Sequence, residues 1–251
     1  MIDPPALGTG SQLQFMAPLS AQRAADLVAG LAVRRPATIV DVGSGWGELL
    51  LRLLTALPEA QGVAIDTHGP DLDRGRASAE QRGLADRASF VAGEAGRHAQ
   101  AADLVISIGA YQAFGTISEA LAELRKLVHP GGRLLFGAEF WERPPTEAEL
   151  GRMWPGIDAD ACLYLADLVD AAVTAGFRPL RIGTATADEW AEFESGLAAD
   201  IEEWILDHPD HPETAGLRDK LDAQRSIWLR GHRGVMGFAY LTLGVPAHGE
   251  P

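Results

Sequence analysis

The stretch TIVDVGSGWGELL, residues 38–50, decides the fold, because it joins an apolar run to a helical pattern through a loop with three glycines. The loop reads GSGWG, residues 43–47, and the acid Asp41 stands two residues before it. Glycine suits a corner where the backbone needs positive φ or where a ligand approaches closely. Such a loop, between a strand and a helix, also turns free backbone amides towards a ligand. The stretch therefore predicts a ligand-binding corner of an α/β fold.

The rest of the chain continues this alternation of short apolar runs and helical patterns, which is typical of a parallel sheet with crossover helices. Most of the runs lack polar alternation, as expected for strands buried on both faces. The predicted strands are 37–43, 62–66, 88–95, 103–109, 132–140, 178–185 and 234–245. Thr116 with Glu119 predicts a capping box at a helix start, and HPGG at 129–132 predicts the end of that helix.

The length suits one globular domain, and we predict a single domain over residues 1–251. Within it, residues 1–36 are predicted as an N-terminal cap and first helix, and residues 186–233 as a helical insertion between the last two strands. A break at DHPDHPE, residues 207–213, divides the insertion into a helical pair. Connections of this length are usually functional, so the insertion is a candidate lid, substrate element or homodimer surface.

Charge and cysteine content narrow the classes of partner and compartment. The net charge is −14, and no cluster of Lys and Arg along the sequence offsets it, so neither nucleic acid nor an anionic membrane is expected as a partner. The lone Cys162 excludes an intramolecular disulfide. The N-terminus lacks the pattern of a secretory signal, and no apolar run is long enough to span a bilayer. We therefore predict a cytoplasmic protein.

Three acids mark successive strand ends and suggest the kind of ligand. The glycine spacing is G-x-G-x-G rather than the G-x-G-x-x-G of dinucleotide folds, and Asp41 beside the loop favours a cation over pyrophosphate. Asp66 ends the second predicted strand, where acids of α/β folds bond ribose hydroxyls. Glu94 lies near the end of the third, within reach of an adenine amino group. Together they indicate an adenosine with a cationic tail.

At this point the sequence resembles the class I S-adenosylmethionine-dependent methyltransferases. The resemblance covers roughly residues 20–179 and the terminal strand, and its combination of motifs is more specific than any single motif. The matching motifs are VDVGSGWG (40–47), VAID (63–66), VAGEA (91–95), DLVISIGAYQAFG (103–115) and LRKLVHPGGRLLFGAEFW (124–141). EFWERPPTEAEL, residues 139–150, and the helical insertion look like a bacterial small-molecule subgroup of this family.

The resemblance implies a Rossmann-like, seven-stranded, mostly parallel sheet with helices on both faces and an antiparallel last strand. It also implies S-adenosyl-L-methionine as cofactor, S-adenosyl-L-homocysteine as product and a small-molecule methyl acceptor. The loop would face the methionine part of the cofactor, Asp66 the ribose, and Glu94 or Ala95 the adenine. The predicted cofactor-binding residues are Asp41, Gly43, Ser44, Gly45, Gly47, Asp66, Thr67, Gly93, Glu94, Ala95 and Gly109.

Methyl transfer needs alignment and dehydration more than it needs a catalytic triad, but some acceptors must lose a proton. The candidate bases are His68, Tyr111 and Glu139. His68 could instead be a turn residue, and Tyr111 could form an aromatic wall. Glu139 could instead form a hydrogen bond with a neighbouring backbone group. DHPDHPE holds two histidines near carboxylates, but its prolines indicate an exposed connection, so no metal site is predicted.

Two other functions compete with this interpretation. A nicotinamide-dependent oxidoreductase would use a related sheet, but the glycine spacing and Asp41 count against it. A protein that binds the cofactor without methyl transfer would keep the same site. Binding measurements with S-adenosylhomocysteine and NAD separate the first alternative, and a panel of acceptors separates the second.

Overall fold

The computed structural model describes residues 3–247, so the predicted ends of the domain, residues 1–2 and 248–251, lie outside the described residues. A seven-stranded sheet has the order β3-β2-β1-β4-β5-β7-β6. Its strands are β1 Thr38–Val42, β2 Gln61–Asp66, β3 Ala88–Ala92, β4 Ala102–Ile108, β5 Val128–Trp141, β6 Arg178–Thr184 and β7 Met236–Gly244. The first five strands pair in parallel, and β7 is antiparallel to β6. The predicted fold class is confirmed.

Helices follow most of the strands, as crossover connections of a parallel sheet require. The α-helices are α1 Ala21–Ala32, α2 Glu48–Ala56, α3 Gly69–Gln81, α4 Ala95–His98, α5 Ile117–Leu127, α6 Glu147–Leu150, α7 Leu165–Thr174, α8 Ala187–Gly196, α9 Ala199–Asp207 and α10 Thr214–Ser226. A 3-10 helix covers Tyr111–Phe114, and a π-helix covers Ile227–His232. The capping box predicted from Thr116 and Glu119 is present, with both reciprocal hydrogen bonds.

The start of β5 differs from the prediction. HPGG, residues 129–132, lies inside β5 instead of ending α5, which already stops at Leu127. Opposite β4 the pairing passes from Ala102–Val128 to Leu104–Arg133, so residues 129–132 bulge out of the ladder. Proline lacks the amide that a ladder needs, and Gly131 has φ 80°, so this segment cannot pair regularly.

The chain divides into two compact units, each with its own core. The sheet unit comprises Ser20–Glu139, Leu165–Thr184 and the residues from Phe238 onwards, and it holds the glycine loop. Apolar strands β1 and β4 form its centre, with Ile39, Val42, Leu104 and Val105 almost fully buried. On α2, four leucines are fully buried, because the helix packs one apolar side onto the sheet.

The insertion unit comprises the described part of residues 1–19, together with Phe140–Tyr164 and Ala185–Gly237. The predicted helical pair is wrong in one respect, because its first helix is split into α8 and α9 after Gly196. A Cβ atom at Gly196 would lie 2.3 Å from Cδ2 of Leu13, so this helix end accommodates the N-terminal segment. The role of residues 186–233 as lid, substrate element or dimer surface stays a prediction.

Among residues 3–247, no helix is both long enough and apolar enough to cross a bilayer.

Candidate active site

The glycine loop at the end of β1 has the backbone that its sequence predicts. Gly43, Gly45 and Gly47 all have positive φ, at 65°, 53° and 67°. A Cβ atom at Gly43 would lie 2.2 Å from Cβ of Ala110, which follows β4. The loop therefore needs glycine at Gly43 for two reasons, its backbone conformation and the close approach of the neighbouring strand end.

Asp66, at the end of β2, holds this loop in place. Its Oδ2 accepts a hydrogen bond from Gly45 N at 2.8 Å, and its Oδ1 accepts one from His68 N at 2.9 Å. Gly43 N and Ser44 N donate to the carbonyl of Ile65, at 2.9 and 3.2 Å. A carboxylate offers about four lone-pair directions, so each oxygen of Asp66 keeps one for another donor. The loop and this acid form one hydrogen-bonded unit.

Asp41 is the buried acid of the site. It lies on β1 with 4% of its surface exposed. Burial raises the pKa of Asp41 to about 7, and the nearby charge of Asp66 adds to the rise. A cation near Asp41 would favour its charged form. The electrostatics of this corner therefore suit a ligand with a positive group.

Three more predicted residues lie at the same edge of the sheet, because parallel strands present their carboxyl ends together. Gly93 N donates to the carbonyl of Asp66 at 2.9 Å, which places the end of β3 beside that of β2. Gly109, with φ 64°, donates its N–H to the carbonyl of Gly137 at 2.9 Å. Thr67 is exposed directly after Asp66.

Glu94 and Ala95 form the start of α4, close to the end of β3. Ala95 is buried, but the carboxylate of Glu94 is largely exposed and pairs with Nε of Arg97 at 3.0 Å. An exposed ion pair of this kind is weak, so Arg97 does not fix the carboxylate. An adenine contact by Glu94 or Ala95 stays a prediction.

Two of the candidate bases lie at the starts of helices rather than on strands. The His68 side chain is 56% exposed and its Nδ1 lies 3.0 Å from Oδ2 of Asp71. Tyr111 begins the 3-10 helix after β4 and is half-buried. The backbone N–H of His68 donates to Oδ1 of Asp66 at 2.9 Å, and the catalytic roles of both side chains stay predictions.

Glu139, the third candidate base, is different, because it lies near the carboxyl end of β5. The last paired residue of β4, Ile108, stands opposite Gly137, so Glu139 extends two residues beyond that pairing. Its Oε2 is buried and makes no hydrogen bond within the described part of the chain. Burial raises the pKa of Glu139, although a hydrogen bond from its own amide opposes the rise. Such a carboxylate is a stronger proton acceptor than an exposed one.

Comparison with known proteins agrees with this geometry. Residues 40–134, which include most of β1, the glycine loop, Asp66, all of β4 and the first half of β5, match the family model described as a methyltransferase domain. Over these residues the chain is similar to a methyltransferase domain, and the curated relatives that it matches are methyltransferases. The matched region contains the glycine loop and Asp66, whereas Glu139 lies beyond it.

Two curated relatives show how far the likeness to other methyltransferases extends. The ubiquinone/menaquinone biosynthesis C-methyltransferase of Paracoccus denitrificans is 36% identical over 118 residues, which are 45% of this chain and 46% of that protein. The malonyl-[acyl-carrier protein] O-methyltransferase of Hahella chejuensis is 31% identical over 151 residues, which are 57% of this chain and 51% of that protein. The chain spans about half the length of the curated relatives it matches.

A solved structure matches the fold of nearly the whole chain. It is a methyltransferase of Geobacter sulfurreducens in complex with S-adenosyl-L-homocysteine, with a TM-score of 0.84 and 23% identity. The match covers 97% of this chain and 99% of that one. At this identity the likeness concerns the fold, and it includes the insertion as well as the sheet.

Two contacts in this structure were not predicted from the sequence. The guanidinium of Arg74 on α3 lies 3.7 Å from the ring centre of Trp46, so it covers the loop's aromatic residue. In the insertion unit, buried His232 pairs through Nε2 with Glu194 at 3.1 Å and stacks on Trp154. These contacts join residues that are distant along the chain, so no local sequence pattern predicts them.

The DHPDHPE segment packs on an aromatic ring. His208 stacks on Trp204, with 4.6 Å between ring centres, and His211 meets the same ring edge-on at 4.8 Å. Within residues 3–247, no group of three or more His, Cys, Asp or Glu side chains is placed to hold a metal ion.

Proposed function

We propose that the protein transfers a methyl group from S-adenosyl-L-methionine to a small-molecule acceptor and releases S-adenosyl-L-homocysteine. The observation that carries the proposal is the unit formed by the glycine loop and Asp66, with buried Asp41 behind it. The similarity of residues 40–134 to a methyltransferase domain supports the same reaction class. A cytoplasmic location and a homodimer stay predictions.

The residues at this corner fit the cofactor's chemical groups. Asp66 keeps a free lone pair on each oxygen, which suits the two ribose hydroxyls. The loop backbone is open to close approach, because Gly43 and Gly45 carry no side chains. Asp41 supplies a negative charge for the ammonium group of the methionine part.

When bound, the cofactor supplies an electrophilic methyl group on a sulfonium sulfur, and transfer follows an in-line displacement. The protein's part is then to align the acceptor and to exclude water. For an acceptor that must lose a proton, we propose Glu139 as the base, because its buried Oε2 has no hydrogen-bond partner among residues 3–247. His68 and Tyr111 remain the alternative candidates.

Calorimetry with S-adenosylhomocysteine and with NAD tests the proposal first. We expect binding of S-adenosylhomocysteine in the micromolar range and no comparable binding of NAD. Preferential NAD binding would overturn the proposal in favour of an oxidoreductase. A panel of quinols, carboxylates, phenols and amines, with S-adenosylhomocysteine release as readout, then tests transfer itself. Cofactor binding without any turnover across that panel would favour a binding protein.

Asp66→Ala should weaken S-adenosylhomocysteine binding by about 5- to 150-fold, because it removes a hydrogen-bonding charge worth about 1–3 kcal/mol. It also releases Gly45 N from its partner in the loop. Calorimetric titration measures the change in Kd. Asp73→Ala is the matched control, because Asp73 is 77% exposed and pairs only with Arg76 among the described ion pairs. Unchanged affinity in Asp66→Ala would contradict the ribose assignment.

A further inference from the structure

A second cleft lies at the opposite edge of the sheet, where the strands begin. Its walls come from the end of α1, the amino ends of β1 and β4, and the bulge of β5. The cleft has a volume of about 270 Å³, and three arginines line it: Arg34, Arg35 and Arg133. We call it the arginine cleft. It is unlike the rest of a chain whose net charge is −14.

The first two arginines have no counter-ion in the described part of the chain. Arg34 and Arg35 are exposed, and neither guanidinium makes a hydrogen bond or an ion pair to any of residues 3–247. Their backbone amides donate to the carbonyls of Leu31 and Ala32. Two consecutive guanidiniums are therefore available to a ligand.

Arg133 is half-buried and held in position by the bulge. Its Nη1 donates to the carbonyls of Gly131 and Gly132, at 2.9 and 2.8 Å. Its Nη2 and Nε make no hydrogen bond within residues 3–247. Burial lowers the pKa of Arg133, and the nearby charge of Arg34 lowers it further. Arg133 and Arg34 therefore place two positive charges near each other, and Nη2 and Nε of Arg133 remain available as donors.

The acid that lines this cleft, Asp103, already has hydrogen-bond partners within the chain. Its Oδ2 accepts hydrogen bonds from Ala37 N and Thr38 N, at 2.9 and 3.1 Å. Its Oδ1 lies 3.1 Å from Nδ1 of His129, whose ring also faces this acid from the bulge. Asp103 therefore closes the start of β1 onto β4 and does not neutralise the arginines.

The backbone also favours this arrangement of the arginines. Among the described residues, Arg35 is the one non-glycine residue with positive φ, at 47°. For an L-residue this conformation costs about 1–2 kcal/mol. Arg35 lies three residues after the end of α1 at Ala32, and with Arg34 it lines the cleft. Strain of this kind is often found where a ligand is held.

We propose that the arginine cleft binds a phosphate monoester of a small metabolite, at a site separate from the glycine loop. Three guanidiniums with unused donors match a dianionic, three-oxygen group better than a single carboxylate, because guanidinium forks pair bidentately with phosphate. The opposite edge of the sheet carries Asp41 and Asp66, so the two sites have opposite charge preferences. Bound phosphate would supply the counter-ion that the described residues lack.

The test is a titration of the full chain with inorganic phosphate at constant ionic strength, followed by calorimetry and by ³¹P line broadening. We expect saturable binding, at least ten-fold weaker in Arg34→Gln and in Arg133→Gln, with unchanged S-adenosylhomocysteine affinity. Arg181→Gln, an exposed arginine of β6, is the matched control and should bind phosphate like the unmodified chain.

A titration with acetate tests whether the ligand is a phosphate or a carboxylate. Acetate should bind at least ten-fold more weakly than phosphate, whereas equal binding would replace the phosphate assignment by a general carboxylate site. Phosphate binding that is unchanged in both Arg34→Gln and Arg133→Gln would overturn the proposal, as would the absence of saturable binding. Arg34 is exposed, so its replacement tests the cleft even where replacing half-buried Arg133 disturbs folding.

Discussion

Glu139→Gln should lower kcat by about 100-fold or more, while the Kd of S-adenosylhomocysteine stays within about two-fold of its original value. The glutamine keeps the shape of the side chain but cannot accept a proton. Because burial raises the pKa of Glu139, kcat of the unmodified protein should rise with pH and then level off as the carboxylate loses its proton. Turnover of an acceptor found in the panel, measured across pH, shows whether the substitution removes that rise.

Glu142→Gln provides the matched control for this prediction. Glu142 is exposed and lies three residues further along the chain, so its replacement should leave kcat and its pH profile unchanged. A purely structural Glu139 would give another result: the variant would be more stable at pH values where the carboxylate is charged, because a neutral amide costs less to bury than a charge, and kcat would stay the same. That outcome would leave His68 and Tyr111 as the candidate bases.

Between pH 4 and pH 8, the unfolding free energy of the unmodified protein should fall by about 4 kcal/mol more than that of Asp41→Asn. The pKa of Asp41 rises from 3.8 to about 7 on folding, chiefly through burial. Below pH 3.8 the acid is protonated in both states, so it costs nothing. Above pH 7 it is charged in both, and the folded state bears the full cost of a buried charge. Three pH units at about 1.4 kcal/mol each give the size.

Urea denaturation of both proteins at several pH values measures this effect, since contributions from groups that do not interact with Asp41 cancel in the difference. Val42→Ala is the control, because Val42 is fully buried on the same strand but does not titrate, so its difference from the unmodified chain should not depend on pH. Saturating S-adenosylhomocysteine should reduce the fall, since an ammonium group near Asp41 favours the charged acid. A difference that is flat from pH 4 to pH 8 would contradict the buried-acid interpretation.

Local signals in the sequence were sufficient to predict most of the fold. Each predicted strand overlaps an observed one, because β-branched and apolar runs between turn residues are a local pattern. The capping box at Thr116 was predicted for the same reason, since it depends on residues three positions apart. The predicted start of β5 failed because Pro and Gly in HPGG indicate a break without saying whether a strand resumes pairing around it. The split after Gly196 was missed because its cause includes Leu13, which is far away in sequence.

The candidate site divides in the same way. The positive-φ glycine corner at Gly43 and the acid at the end of β2 were predictable from the sequence, because strand ends and glycine spacing are local properties. Only the tertiary structure decided that Asp66 bonds Gly45 N, that the Oε2 of Glu139 is buried without a partner among the described residues, and that Arg133 lies in one cleft with Arg34. The physical reason is that burial, charge environment and hydrogen-bond partners depend on which distant segments meet, and no local pattern carries that information.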